Sequence, residues 1–343
     1  MVVTSRQVVL VRRPVGTPTA DDFALESVEP EAGQGQVLVR NHAMSVEPYM
    51  RGRMSDRKSY VPAYELGLPM DGPAVGEVVG SSLPDVPVGT WVRHGKGWRE
   101  YATLDAGEID RIEVGPIPAT AYLGALGQTG MTAWVGLTRI GAVVDGNTVF
   151  VSSAAGAVGM CAARIARMKG AKVIGSCGSP KKAAMLEETG TCDVAFDYHV
   201  SPDLAGDSLR RRLDDALTRV GADGIDVYFD NVGGDHLEAA IRRMSVHGRI
   251  VMCGAISVYN SPTPVPGPSN LLQLIWRRVR MEGFLVGDHL DAEDEFRAQM
   301  SGWLADGSMT SPETVVGQGI EEAVDGFLRM MRGDSTGKAL VRL

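Results

Sequence analysis

Cysteine is scarce in this chain of 343 residues. Cys161, Cys177, Cys192 and Cys253 are the full set, no two form a C-x-x-C pair, and none precedes Cys161. That excludes a disulfide framework and a structural zinc knuckle, and it suits a reducing compartment. Positive charge is also in deficit: 34 Lys and Arg face 42 Asp and Glu, a net charge of −8. A nucleic-acid surface built on general basicity is excluded by that balance. No stretch approaches the roughly 20 uncharged apolar residues of a membrane span, so no membrane partner is expected. The opening segment, MVVTSRQVVLVRRPVG, is too short and too broken by Arg6 and Gln7 for a signal peptide. Arg12-Arg13 leads into a proline-bearing loop instead of an apolar core, so a twin-arginine signal fits poorly. A cytoplasmic protein is expected.

What is present is an ordinary globular balance, 44% hydrophobic and 22% charged, at a length that suits two domains. Up to about residue 125, short β-like runs at 7–11, 36–44, 74–79, 90–93 and 98–103 alternate with turn chemistry such as Glu31-Ala32-Gly33-Gln34-Gly35. They predict a compact β-rich domain over 1–125. From about residue 145, apolar strands alternate with amphipathic helices, the pattern of βαβ units on a parallel sheet. Strands are predicted at 148–152, 172–176, 194–197, 225–230, 249–253 and 283–286. Six strands suit a doubly wound α/β sheet, placed here at 126–309. One helix puts Val158, Cys161, Ala162, Ile165 and Met168 on a face, and a later one Leu209, Leu213, Ala216, Leu217 and Val220. Pro262, Pro264, Pro266 and Pro268 mark an irregular loop, either a lid or a surface connection, before a helix at 270–278. A helix over 321–332 and a strand over 339–343 are predicted to return to the first domain.

The first of the six strands runs into Ala154-Ala155-Gly156-Ala157-Val158-Gly159, the G-x-G-x-x-G fingerprint with alanine in its first place. Gly156 would let the backbone approach a pyrophosphate, and Gly159 would let the helix sit close on the sheet. The helix N-terminus supplies N–H donors and a partial positive charge. An NAD site usually carries an acid at the end of the second strand. Here that end reads Ser176-Cys177-Gly178-Ser179-Pro180-Lys181-Lys182, with no carboxylate and two lysines. Ammonium groups and the Ser179 hydroxyl suit a 2′-phosphate, so NADPH is the expected cofactor; a lysine pair on a solvated helix face is the bland alternative.

A β-rich domain before a nucleotide domain suggests the medium-chain dehydrogenase/reductase architecture. Its zinc alcohol dehydrogenases need a catalytic Cys, a His-Glu pair and a four-Cys lobe. The first domain holds no cysteine, and Asp71-Gly72-Pro73-Ala74-Val75-Gly76 has no His-Glu, so no metal site is expected. Six motifs then stand out: Pro48-Tyr49-Met50-Arg51-Gly52-Arg53-Met54, Lys58-Ser59-Tyr60-Val61-Pro62, Tyr228-Phe229-Asp230-Asn231-Val232-Gly233-Gly234, Cys253-Gly254-Ala255-Ile256-Ser257-Val258-Tyr259-Asn260, Asn270-Leu271-Leu272 and Arg280-Met281-Glu282-Gly283-Phe284. Together they resemble the leukotriene B4 12-hydroxydehydrogenase/prostaglandin reductase family, which includes alkenal double-bond reductases and curcumin reductases.

That resemblance, running from about Val37 to Leu343, implies a GroES-like domain built from both chain regions 1–125 and 310–343, a Rossmann domain between them, and a homodimer. It implies NADPH-dependent reduction of the C=C bond of small α,β-unsaturated aldehydes and ketones. Carried over, Gly156, Ala157, Val158 and Gly159 hold the pyrophosphate, and Lys182 and Tyr198 face the adenosine phosphate. Asn231 follows the fourth strand; Cys253, Gly254, Ala255, Ile256, Ser257 and Tyr259 run along the nicotinamide side; Phe284, Leu285 and Val286 lie on the sixth strand. Two departures matter. Ser335 stands where the family's G-D-N-x-G-K motif has Asn, and the loop holding Gln128-Thr129, expected near the nicotinamide, replaces a proline-bearing version.

Conjugate reduction needs positioning, a donor at the carbonyl oxygen and exclusion of water, but no nucleophile. Tyr259 is the expected donor, with Tyr49 shaping the pocket from the other domain; each has aromatic packing as its alternative. Arg51 and Arg53 are expected to pair with nearby acids, with substrate-facing cations as the alternative, and Met44, Met50, Met54 and Met70 to be core, with an adaptable apolar pocket as theirs. A quinone reductase of the same architecture and an NADPH-binding protein without turnover remain as alternatives.

Overall fold

The structure, a computed structural model, describes residues 3–199 and 208–343. The chain divides into two compact units, 1–124 with 312–343, and 125–311.

The first unit opens with β1 (Ser5–Leu10) and β2 (Phe23–Val28), an antiparallel pair, then β3 (Gln36–Ser45), the short helix α1 (Tyr49–Arg53), β4 (Ala74–Ser81), β5 (Trp91–His94), β6 (Tyr101–Asp105) and β7 (Asp110–Arg111). The run predicted at 98–103 starts late because Trp98 takes a left-handed φ of 59° with its indole fully buried, which no strand residue can do.

The second unit begins with α2 (Gln128–Val135). The segment Leu126–Thr132, read as a loop, is therefore helical from Gln128 onward. There follow β8 (Thr148–Val151), α3 (Ala157–Met168), β9 (Lys172–Cys177), α4 (Pro180–Glu188), β10 (Val194–Asp197), α5 (Leu209–Val220), β11 (Ile225–Asp230), α6 (Gly234–Arg243), β12 (Met244–Met252), α7 (Leu272–Arg277), β13 (Arg280–Gly283) and α8 (Glu293–Ala305). The last strand lies three residues before the predicted 283–286. Arg280 and Glu282 give an edge strand a polar alternation, whereas the apolar stretch after it is not a strand.

The six strands are parallel, in the order β10-β9-β8-β11-β12-β13. Numbered along the unit this is 3-2-1-4-5-6, the doubly wound order whose chain reversal between strands 1 and 4 opens a ligand crevice at their carboxyl ends. Phe150 on β8 and Tyr228 on β11 stack at 4.9 Å in the core beneath it. Cys161, Ala162 and Ile165 of the predicted α3 face are buried, but so are Met160, Ala163 and Ala166, because α2 covers the helix's other side. Small side chains are what such double burial demands. On α5, Ser208 caps the start by accepting from the Arg211 N–H, and Gly221 closes it at φ 64°.

The chain then re-enters the first unit with β14 (Glu313–Gln318), α9 (Ala323–Met331) and β15 (Lys338–Arg342). The sheet there runs β14-β15-β3-β4-β5-β7, with β6 also on β3. Met44, Met50, Met54 and Met70 are fully buried in this unit's core with Trp98 and Phe327.

Candidate functional site

Ser152–Ala155 form the turn that leaves β8. Ser153 takes φ 52°, and its carbonyl accepts the Gly156 N–H at 2.9 Å. Gly156 is the N-cap of α3, in extended conformation and with no side-chain cap, so the first-turn N–H groups of Ala157, Val158 and Gly159 face an end built for an anion. The two glycines do different work. A Cβ on Gly159 would lie 2.1 Å from the Ser153 carbonyl oxygen and 2.9 Å from Ala154 Cα, so the helix rests directly on the turn. A Cβ on Gly156 would meet only Ser153, at 3.1 Å and beyond, and its φ is ordinary.

Ser179 follows β9 and caps α4: its Oγ accepts the Lys182 N–H at 3.2 Å, with Pro180 at the first helical position. Its hydrogen remains available to a phosphate oxygen. Lys182 is half-buried in the first turn of α4, close enough for its charge to favour the Cys177 thiolate. Tyr198, just past β10, is 37% exposed and lies over Gly178, where a Cβ would be 3.6 Å from the Tyr198 ring. Its ring is tilted against His199 at 4.3 Å and edge-on to His236 at 5.1 Å. Ser179 and Tyr198 thus border Gly178, with Lys182 on the following helical turn. The two histidines escaped sequence reasoning; the imidazole of His236 is buried in α6 and its pKa is lowered to about 4 by that burial.

At the carboxyl end of β11, Asp230 is fully buried. Its Oδ1 accepts four hydrogen bonds, from the Tyr228 hydroxyl at 2.6 Å, the Ser152 hydroxyl at 3.1 Å, and the N–H groups of Val232 and Gly233 at 2.9 and 2.8 Å. Ser152 in turn accepts the Asn231 N–H at 2.9 Å, and its carbonyl accepts the Asn231 side-chain amide at 2.7 Å. The Asp230 carbonyl accepts the N–H groups of Cys253 and Gly254, the Asn231 carbonyl that of Ile256, and the Val232 carbonyl both the N–H and the hydroxyl of Ser257. Loops 230–233 and 253–257 are therefore one hydrogen-bonded platform across the switch point. Nothing in the sequence marked Asp230 except its place in the Tyr228–Gly234 motif.

Tyr259 closes the platform. Its hydroxyl accepts the Ala255 N–H at 3.3 Å and keeps its own hydrogen to donate. Burial, chiefly, holds the phenol above its ordinary pKa, so it stays protonated through the neutral range. Burial likewise pushes the Cys253 thiol up to about 12. Phe284, Leu285 and Val286 follow β13 instead of lying on it, and the Phe284 ring packs toward Gly136, where a Cβ would come within 3.1 Å of it. Thr129 is buried near the start of α2, one residue before Gly130, whose Cβ would fall 1.8 Å from the Ala125 carbonyl oxygen.

In the first unit, Tyr49 is half-buried at the start of α1 and packs on the methionine core. Arg51 donates to the Gly16 and Pro14 carbonyls at 2.7 and 3.4 Å, and the charge of Asp22 acts on it. Arg53 donates to the Pro62 carbonyl, lies 4.1 Å from the Tyr64 ring centroid and comes within 3.9 Å of Asp71. Ser335 is half-buried in the turn between α9 and β15. Among the described residues no helix is long and apolar enough to cross a membrane, and no group of three or more His, Cys, Asp or Glu could hold a metal ion.

Comparison with known proteins agrees with this architecture. Residues 6–112 match the family described as the N-terminal domain of oxidoreductase, and residues 157–306 that described as zinc-binding dehydrogenase. The chain is 36% identical to a tobacco 2-alkenal reductase (NADP(+)-dependent) and 34% identical to an Escherichia coli NADPH-dependent curcumin reductase, each over 99% of this chain and 97% of the relative. The crystal structure of CurA from Vibrio vulnificus in complex with NADPH superposes with a TM-score of 0.89 at 37% identity, over 98% of each chain. The chain belongs to the medium-chain dehydrogenase/reductase family, in the branch of the leukotriene B4 12-hydroxydehydrogenase/prostaglandin reductases, alkenal reductases and curcumin reductases.

Proposed function

We propose that this protein is an NADPH-dependent reductase of the C=C bond in small α,β-unsaturated aldehydes and ketones. The observation that carries the reading is its full-length kinship with two reductases, one named for alkenals and one for curcumin. The residues present fit the cofactor. The uncapped first turn of α3 offers donors to a pyrophosphate, and Gly156 leaves the space above that turn clear of a side chain. Ser179, Lys182 and Tyr198 suit a 2′-phosphate at the end of a strand that carries no carboxylate. Asn231, Gly254, Ala255, Ile256 and Ser257 would line the nicotinamide side, with Phe284, Leu285 and Val286 beyond them.

When bound, the reduced nicotinamide supplies a hydride to the β-carbon of the enone. Tyr259 then donates a hydrogen bond to the carbonyl oxygen as charge builds there, and its raised pKa keeps that proton in place. Tyr49 as a substrate-side aromatic, Ser335 as a cofactor contact, a homodimer, a cytoplasmic location and independence from zinc belong to the same reading and rest on the resemblance or on composition.

The test is NADPH oxidation against a panel of enals, enones and quinones, with product analysis using NADPH deuterated at C4. Deuterium on the β-carbon of a saturated carbonyl product is the expected result. Allylic alcohol as product, or turnover of quinones alone, would overturn it.

A further inference from the structure

Asp230 is a buried carboxylate without a counter-ion. Burial holds its pKa above the usual carboxylate range against the four donors that surround its Oδ1 with no acceptor, the pattern that keeps a carboxyl ionised at alkaline pH, and its Oδ2 is buried with no hydrogen-bond partner. Among the described residues no Lys, Arg or His pairs with it. The acids around it are all held neutral: Tyr228, Cys253 and Tyr259 are pushed up by burial first and by the Asp230 charge as a further cause. One negative charge therefore sits alone in a low-dielectric cluster at the β8–β11 switch point, where this fold binds its ligand. An uncompensated buried charge is costly, and a ligand of opposite sign relieves the cost.

We propose that Asp230 is the counter-charge for the oxidised nicotinamide, favouring the cationic ring over the neutral reduced one. The inference rests on the NADPH reading above. The ring is neutral before transfer; the hydride carries two electrons to the β-carbon and leaves the ring with one positive charge, while the substrate oxygen gains the negative charge that a proton later quenches. The Asp230 carboxylate stabilises the first of these charges as the Tyr259 hydroxyl stabilises the second. Asp230 thus acts at a distance on the cofactor and through the platform that its Oδ1 organises, and the two roles separate in binding measurements.

The experiment measures dissociation constants of NADPH and NADP⁺ by fluorescence quenching at alkaline pH, for the wild type, Asp230→Asn and Tyr228→Phe. Asp230→Asn is expected to weaken NADP⁺ relative to NADPH by about tenfold, since the variant loses a unit charge that favours only the cationic ring. Tyr228→Phe keeps the charge and removes one of its donors, so it shifts the ratio the other way, toward tighter NADP⁺. Equal weakening of both dinucleotides in Asp230→Asn would mean that the residue only shapes the platform, and the proposal falls. Should Asp230→Asn fail to fold, a Tyr228→Phe ratio that is unchanged or moved toward NADPH overturns the proposal, and one moved toward NADP⁺ supports it. Wild-type protein that bound neither dinucleotide would overturn the cofactor reading itself, and this one with it, before any variant was made.

Discussion

The two glycines of the α3 turn make a graded prediction. In Gly159→Ala the new methyl meets backbone, 2.1 Å from the Ser153 carbonyl oxygen, and cannot be relieved by a side-chain rotation. Overpacking of this kind costs about 1–3 kcal/mol, and a contact this short belongs at the upper end. Alanine's better helix propensity returns about 1 kcal/mol, for a net loss of about 2 kcal/mol. In a unit of this size that lowers the melting temperature by about 4–8 °C. In Gly156→Ala the methyl meets only Ser153, at 3.1 and 3.3 Å, with an ordinary φ. The melting temperature should stay near wild type, while NADPH affinity falls because the methyl projects where the pyrophosphate would lie. Thermal melting and NADPH titration on both variants separate the two effects. A Gly159→Ala protein melting like wild type, or a Gly156→Ala protein binding NADPH with full affinity, would refute the assignment of close packing to one glycine and ligand approach to the other.

Lys182→Ala should raise KM for NADPH about tenfold or more, the loss of a charge-assisted contact, with little effect on NADH; steady-state kinetics with both cofactors check it. Tyr259→Phe should lower kcat more than it raises KM, by about tenfold to a hundredfold, since only one donor is lost and the Ala255 N–H it frees made a weak bond; unchanged kcat across several enones would reduce the tyrosine to packing. His94 has its pKa lowered to about 3 by burial first, with Nε2 bonded to Asn41 and Nδ1 accepting the Lys96 N–H. The unfolded chain takes up a proton below about pH 6.5 that the folded state refuses, so this site removes about 2 kcal/mol of stability as pH falls from about 7 to 5. Urea midpoints at both pH values should show a smaller acid loss in His94→Gln than in wild type. Chelators should leave activity and melting unchanged, and zinc-reversible inactivation would contradict this.

The parts of the fold that were legible are those in which one local signal suffices. β8, β9, β10 and β11 are short, apolar and bounded by glycine turns or capping serines, so their predicted positions stand within a residue or two. β2 and β14 were missed because they present mostly half-buried or exposed residues, and neither alternation nor an apolar run announces them. α2 was missed because Thr129, Gly130 and Thr132 are poor helix formers held in place by burial against α3. At the site, the glycine turn and the capped start of α4 were readable as chain-local motifs. The Asp230 platform was not: Ser152 and Asp230 lie 78 positions apart and meet only because β8 and β11 pair. Which partner an acid finds across a sheet is decided by register, which spacing along the chain does not encode.

The sheet order of the first unit bears on how the protein is made. β15 (Lys338–Arg342) lies between β14 and β3, and its pairing with Ala43–Ser45 is antiparallel and internal to the sheet. During synthesis, β4 covers one flank of β3 and β6 covers Gln36–Arg40 on the other, so Ala43–Ser45 alone wait for a partner while the whole of 125–311 is translated. The second unit has all its strands in one continuous segment and can complete itself first. Until then that end of β3 is an exposed strand edge, the kind of surface that recruits other chains. Translation stopped between Ser311 and Lys338 would release a finished second unit joined to a sheet with an interior strand absent, so such products should aggregate through the first unit while the second resists proteolysis.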